Sequence, residues 1–260
     1  HAGFLSVDMA DHTTAKLTAN KRAGIANFKF DKFAKTGTVI IGAGISSTSI
    51  NNAMVKITSN KTCEGFAEGG DFCGTSTKYR VYFVAEFDRP ANTKGTWIKD
   101  ALLADANHAY GKDSGAYFTF DTNENSEVNY RIAISYVSIA NAKENLKPPS
   151  NILAFKFSFA GGFETYQANA EKAWDSSLSK IAIETSNEDR AIQFYTHLYH
   201  SLIHPNIVSD ENGDYMGSDF KVHKTKGKAQ YSSFSVWDTY RTQAQLIAML
   251  YPNESSDMMQ

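Results

Sequence analysis

The residues best suited to chemistry in this 260-residue chain fall close together near its C-terminal end, in the run Tyr231 to Pro252. Trp237, Asp238, Tyr240 and Arg241 set an indole, a carboxylate, a phenol and a guanidinium within about one helical turn. A flat apolar ring beside a carboxylate that can accept two hydroxyl hydrogen bonds is suited to holding a sugar. Ser235-Val-Trp-Asp238 also fits the S-x-x-D capping pattern, in which Asp238 serves the helix it begins. The element that must carry these groups is a helix. Val236, Tyr240, Ile247 and Leu250 recur at roughly helical spacing, as do Trp237, Tyr240, Ala244, Ala248 and Tyr251, and the spacing predicts one continuous helix stopped by Pro252.

Other constellations are weaker. Asp210-x-Asn212-x-Asp214 imitates the start of a calcium loop, but Tyr215 and Lys221 stand where such a loop needs glycine and a bidentate glutamate. The stretch reads as a polar turn, with Asn212-Gly213 marking a hairpin. His200 and His204 have the i, i+4 spacing of a helical metal pair, with His197 nearby. Without a third ligand, His200 reads as a hydrogen-bonded core histidine. Glycoside hydrolysis needs two carboxyl groups across the scissile bond, roughly 6.5–9.5 Å apart for inversion. Glu86, Asp88, Asp214, Asp219 and Asp238 qualify by type, with Glu86 and Asp88 read as a solvated strand end. No nucleophile elbow, phosphate loop or dinucleotide fingerprint is present.

From Gly3 to about Phe163 the chain reads as strand after strand separated by Gly, Asn and Asp clusters, the pattern of a mostly antiparallel sandwich or barrel. Tyr79 to Phe87 is the clearest strand, with Tyr79, Val81, Phe83, Ala85 and Phe87 on one face. Thr38 to Gly42, Ala116 to Phe120 and Ile152 to Phe159 follow suit. Val128 to Ala142 reads as a strand carrying a bulge, because β-branched and aromatic residues disfavour a helix there. At Gly161-Gly162 the period changes to helical. Ala170, Trp174, Ser177 and Ile181 mark a linker helix. A second helix opens near Ser186 or Asn187 with Glu188 and Asp189 in its first turn, and ends at Pro205.

A net charge of −2 and a pI near 6.4 give no electrostatic reason to expect nucleic acid or an anionic membrane. No apolar run approaches the roughly 20 residues of a membrane span. Cys63 and Cys73 flank a glycine-rich loop and read as a disulfide rather than as two buried thiols, which implies an oxidising compartment and a secreted protein. Asn60-Lys-Thr62 and Asn253-Glu-Ser255 are glycosylation sequons at Asn60 and Asn253.

FSVWDTYR, preceded by FYTHLYHSLIHPN and DENGDYMGSDFKVH, resembles the start of the catalytic domain of glycoside hydrolase family 92, the α-mannosidases. CEGFAEGGDFCGTSTKYRVYFVAEFDRP resembles a strand pair of that family's N-terminal sandwich. The resemblance implies a galactose-mutarotase-like β-sandwich over residues 1–163, a linker helix over 164–185, and the first helices of an (α/α)6 barrel over 186–260. It further implies a chain truncated at both ends, lacking the family's acid and base carboxylates, with the remaining polypeptide as a partner. The implied activity is calcium-dependent, inverting, exo-acting hydrolysis of terminal α-mannosides of mannose-containing glycans, at α-1,2 linkages. Calcium ligands are expected outside these residues. Asp238 would bind sugar hydroxyls, with Trp237 and Arg241 shaping the subsite. Two alternatives stand beside this reading. One is a non-catalytic carbohydrate-binding or interaction module, and the other is an (α/α)6 glycosidase or phosphorylase with the same sandwich.

Overall fold

The computed structural model describes residues 1–43, 49–71, 74–147 and 162–259. Its N-terminal part is a sandwich of two antiparallel sheets. The larger sheet has the order β1 (Leu5–Asp8), β2 (Thr14–Ala19), β3 (Ala23–Lys29), β12 (Glu127–Ser135), β7 (Lys78–Phe87), β6 (Thr62–Gly70), β5 (Ser49–Ile57), β10 (His108–Tyr110). The smaller has the order β4 (Thr36–Gly42), β11 (Ser114–Asp121), β8 (Thr93–Ile98), β9 (Ala101–Ala104). Alternation decides which residues meet between the sheets. In β4, Val39 and Ile41 are buried while Thr38 and Ile40 face out; in β11, Ala116, Phe118 and Phe120 are buried. From the larger sheet come Val55, Cys63, Phe83, Ala85, Phe87 and Val128. Phe87 sits at the centre, its ring 4.8 Å from Phe118, 5.1 Å from Phe120 and 5.3 Å from Tyr130. The expected face of β7 is therefore the core face from Phe83 onward, and Tyr79 runs out into solvent.

Two expectations fail in this region. The stretch from Val128 to Ala142 is not one bulged strand. β12 ends at Ser135 and helix α1 (Ile139–Leu146) follows, capped by the Ser138 hydroxyl, which accepts from the Asn141 N–H at 3.1 Å. Beyond Ile139 the residues are Ala, Asn, Lys, Glu and Leu, so a good cap and favourable propensity outweigh the apolar alternation read upstream. The Cys63–Cys73 disulfide is also corrected. Cys63 is a free, fully buried thiol near the start of β6, paired in register with Ala85. β6 carries the chain roughly 23 Å from Cys63 to Gly70 at ~3.3 Å per residue, away from the buried thiol. Burial pushes the Cys63 thiol up to about 12. Cys73 itself, and the expected strand from Ile152 to Phe159, lie outside the described residues.

Helix α2 (Gly162–Leu178) lies against β2 and β3, burying Phe163 and Ala170. Its Trp174 ring lies 4.7 Å from Tyr199 of α3 (Glu188–Ser201). Asn187 caps α3, its side chain accepting from the Arg190 N–H at 3.1 Å, as the sequence leads one to expect. The helix ends at Ser201, short of Pro205, so His200 and His204 do not share a helix, and both are exposed. His200 is neither half of a helical metal pair nor a core histidine. Past α3 come two small antiparallel pairs, β13 (Asn206–Ile207) with β16 (Tyr231–Ser232) and β14 (Asp214–Met216) with β15 (Val222–Lys224). Asn212-Gly213 does form a turn, closed by the Gly213 N–H on the Asp210 carbonyl, but it leads into β14. The β14–β15 hairpin itself turns at Gly217 to Lys221.

The expected single helix at Ser235 to Tyr251 is broken. α4 (Val236–Thr239) is one turn, and α5 (Gln243–Leu250) begins only after Thr242 leaves helical geometry at φ −138°, ψ −40°. Long-range hydrogen bonds favour the break. The Gln243 amide donates to the Ser201 and His204 carbonyls at the end of α3, and the Gln245 amide donates to the Tyr240 carbonyl that the break frees. Pro252 closes α5 and also opens α6 (Pro252–Met258), where its missing N–H is no loss at the first helical position. Among the described residues no helix is long and apolar enough to cross a membrane.

Candidate functional site

α4 is held in place at both ends. β16 pairs with β13 and fixes the chain just before Ser235, while Gln243 fixes the start of α5 on the end of α3. Between these anchors Trp237, Asp238 and Arg241 are brought onto one open turn, with Trp237 82% and Tyr240 51% exposed. The Arg241 Nε donates to the Tyr240 hydroxyl at 2.9 Å, and its guanidinium lies 5.7 Å from that ring's centre, so each fixes the other's direction. The Ser235 hydroxyl donates to Asp238 in a short contact. That contact joins two side chains. Neither side chain caps the helix through an N–H of its first turn, so the capping box is not formed. Asp238 thus keeps acceptor capacity facing outward beside an exposed indole, which is the arrangement a sugar ring with vicinal hydroxyls can use.

The other carboxylates named from sequence are scattered and occupied. Glu86 accepts from Arg131 Nε at 3.0 Å in a half-buried ion pair, which corrects the solvated reading of that strand end. Asp88 accepts from Asn129 at 2.8 Å. Asp214 accepts from Asn212 at 2.8 Å and Asn141 at 3.2 Å, and those bonds hold its carboxyl below the ordinary value. Asp219 pairs with His223 at 2.9 Å and is likewise lowered, chiefly by that partner.

Sequence reasoning missed the residue that joins the two halves of the molecule. Asp210 is buried and accepts from the Ser135 hydroxyl at 2.7 Å and from the Asn145 amide at 2.6 Å. Asn145 in turn accepts the Glu211 N–H at 2.8 Å, while Arg22 donates to the Ser209 carbonyl at 2.9 Å and to Glu211 at 2.7 Å. Burial raises the Asp210 carboxyl, and the bonds from Ser135, Asn145 and Asn141 together with nearby Arg22 oppose that rise. The strand β13 that pairs with β16 runs directly into this anchor, so the sandwich positions the α4 head through Asp210. A cleft of about 270 Å³ lies beside it, lined by Arg22, Ile132, Tyr136 and Val208 among others. The sequence signal was only a polar turn, because every partner is distant in the chain.

The oxygens of this turn do not fit a calcium ion. Both Asp210 oxygens and one of Asp214 accept protein N–H or O–H groups, and among the described residues no cluster of three or more His, Cys, Asp or Glu gathers.

Residues 1–135 match the glycosyl hydrolase family 92 N-terminal domain and residues 151–260 match the family 92 catalytic domain. The chain belongs to glycosyl hydrolase family 92. Among solved structures it is similar to a family 92 α-mannosidase from Bacteroides thetaiotaomicron, with 24% identity and a TM-score of 0.85 over 98% of this chain and 34% of that one. The same enzyme in complex with mannoimidazole gives 25% identity and a TM-score of 0.84, over 98% of this chain and 33% of that one. A family 92 inverting mannosidase from Bacteroides thetaiotaomicron VPI-5482 gives 22% and 0.80, over 95% and 32%. No curated protein matches. The chain spans about one third of the length of these structures. The likeness carries the fold expectation: a family 92 sandwich, then the opening of the helical domain.

Proposed function

We propose that this chain is the sandwich and opening helices of a secreted, exo-acting α-mannosidase, and that Asp238, Trp237 and Arg241 form part of its mannose subsite. The observation that carries the reading is the open α4 head, anchored to the sandwich through Asp210 in a chain that matches both family 92 domains. In this reading the indole of Trp237 packs on the sugar, Asp238 accepts two of its hydroxyl protons, and Arg241, steadied by Tyr240, borders the subsite. The acid and base carboxylates come from polypeptide beyond these residues. Hydrolysis is inverting, as in the Bacteroides relative so described, and acts on terminal α-mannosides of glycans, with α-1,2 linkages the favoured substrate. Calcium dependence is part of the proposal, but no step is assigned to the ion on these residues. Exposed Asn60, in the turn between β5 and β6, and exposed Asn253, in the first turn of α6, are open to glycosylation in a secreted protein.

Asp238→Asn in the full-length enzyme tests the subsite. It replaces an acceptor of charge-assisted hydrogen bonds by an amide with one acceptor oxygen. The expected loss is on the order of 1.5–3 kcal/mol, roughly ten- to a hundredfold in kcat/KM for an α-mannoside, with the thermal melt unchanged. A lowered melt with unchanged kcat/KM would make Asp238 a structural residue only. Turnover that requires phosphate would move the reaction to phosphorolysis.

A further inference from the structure

The outer face of the four-stranded sheet carries a second aromatic arrangement. Register sets Gly115 opposite Trp97 and Gly95 opposite Tyr117. A Cβ on Gly115 would lie 2.5 Å from Cε2 and Cζ2 of Trp97, and one on Gly95 would lie 2.6 Å from the hydroxyl and 2.8 Å from Cε1 of Tyr117. Side chains ordinarily stand off a sheet. Here each ring lies over the glycine of the neighbouring strand and stays partly exposed. The Trp97 Nε1 is buried and meets no acceptor among the described residues, so no hydrogen bond sets the ring's position. Ile40, 66% exposed, pairs with Tyr117, and Leu102, 74% exposed, pairs with Trp97; on the next rung the hydroxyls of Thr38 and Thr119 lie 2.9 Å apart. Of the outward strand positions only Asp121, at the end of β11, is charged. Helices α1 and α2 pack on strands of the other sheet, which leaves this face turned away from the helical part.

We propose that this face is a non-catalytic glycan-binding platform, with Trp97 and Tyr117 as its stacking rings. A face with flat rings, hydroxyls and a single peripheral carboxylate offers nothing to neutralise phosphates, which argues against nucleic acid and anionic lipid. It matches a neutral pyranose, whose C–H face can lie on a ring while its rim meets threonine hydroxyls that both donate and accept. Four strands about 4.8 Å apart make a strip roughly 14 Å wide. That the glycan is rich in α-mannose rests on the catalytic reading above.

The test uses the full-length enzyme in native gels containing soluble α-mannan, run with saturating mannoimidazole to block the catalytic subsite. The expected result is retardation by the mannan, with the apparent affinity reduced roughly tenfold or more in Trp97→Ala, the effect of losing one buried ring face. Leu102→Lys adds charge at an exposed position without disturbing either glycine and is expected to weaken retention likewise. Both variants should keep wild-type kcat/KM on a small aryl α-mannoside, which shows that they fold. Retention lost on adding mannoimidazole, or kept in both variants, overturns the platform. Variants that only lower the melt would reduce the rings to a stabilising cover over glycine. Self-association of the wild type that Leu102→Lys abolishes, without mannan binding, would make the face a contact between copies and also overturn it. Absent aryl-mannosidase activity with retention intact would sink the catalytic reading and leave the platform standing.

Discussion

Phe87 and Met249 are both apolar residues on regular elements, a strand and a helix, and their surroundings are opposite. Phe87 is 1% exposed between two sheets that meet over it, whereas Met249 is 71% exposed on α5. The contrast holds for the regions around them. The sandwich buries the inward half of its strands, while α3 buries only Leu198 and α5 only Ile247, leaving Ile192 of α3 and Met249 of α5 open. A period fixes which residues share a face, but burial requires a second surface. The sandwich contains both of its surfaces. The helices of this chain have α2 and the sandwich on one side and solvent on the other.

The largest expected effect tests the first half of that contrast. Phe87→Ala should destabilise the sandwich by about 3–5 kcal/mol, as a large-to-small change in a closed core, whereas Met249→Ala should stay within roughly 0.5 kcal/mol. Paired thermal or denaturant melts check both, and equal effects would break the comparison. The same contrast says that the 260 residues alone aggregate or bind hydrophobic dyes through their helical faces. Light scattering with and without polar substitutions at Ile192 and Met249 checks this, and a monodisperse, cooperatively folding monomer would contradict it.

The junction should respond next. Asp210→Ala leaves the Ser135 hydroxyl and the Asn145 amide without their acceptor, with an expected destabilisation of roughly 1–3 kcal/mol for each orphaned donor. The pH dependence gives a separate mark. The folded carboxyl of Asp210 lies above its ordinary value of 3.8, so the folded state binds more protons and stability falls as pH rises from about that value through the folded one. Asp210→Asn should remove this decline. Asp214, lowered in the fold, works in the opposite sense and loses its contribution as pH falls below the same ordinary value. Melts of wild type and Asp210→Asn across the acid range check the sign, and a wild-type slope unchanged in the variant would place the titration elsewhere. The smallest expected change is chemical. Cys63 should resist alkylation in the native protein and react without any reductant once the sandwich is unfolded, as intact mass will show.

The sandwich strands were legible because period two, turn residues and β-branched content agree over β4, β7 and β11. The N-cap of α3 was legible because Asn187, Glu188 and Asp189 are all local. The α4 group Trp237, Asp238 and Arg241 could be named from type and spacing alone. What the sequence misjudged was settled by contacts that local pattern does not encode. The helix through Thr242 breaks because Gln243 finds carbonyls on α3. Val128 to Ala142 divides at the Ser138 cap, and α1 is then held by Asn141 and Asn145, which bond across to the turn at Asp210 and Asp214.

Sequence alone determined the strand faces, the family likeness and the chemical types at the α4 head, since these depend on residue identity and near-neighbour spacing. The tertiary structure decided the rest. It put Asp210 between Ser135, Asn145 and Arg22, buried Cys63 in the core near the start of β6, and laid Trp97 and Tyr117 on glycines across a strand pair. Each of these depends on register and packing between segments far apart in the chain, where a polar residue is buried only if its partners arrive with it and a ring lies flat only if its neighbour has no side chain.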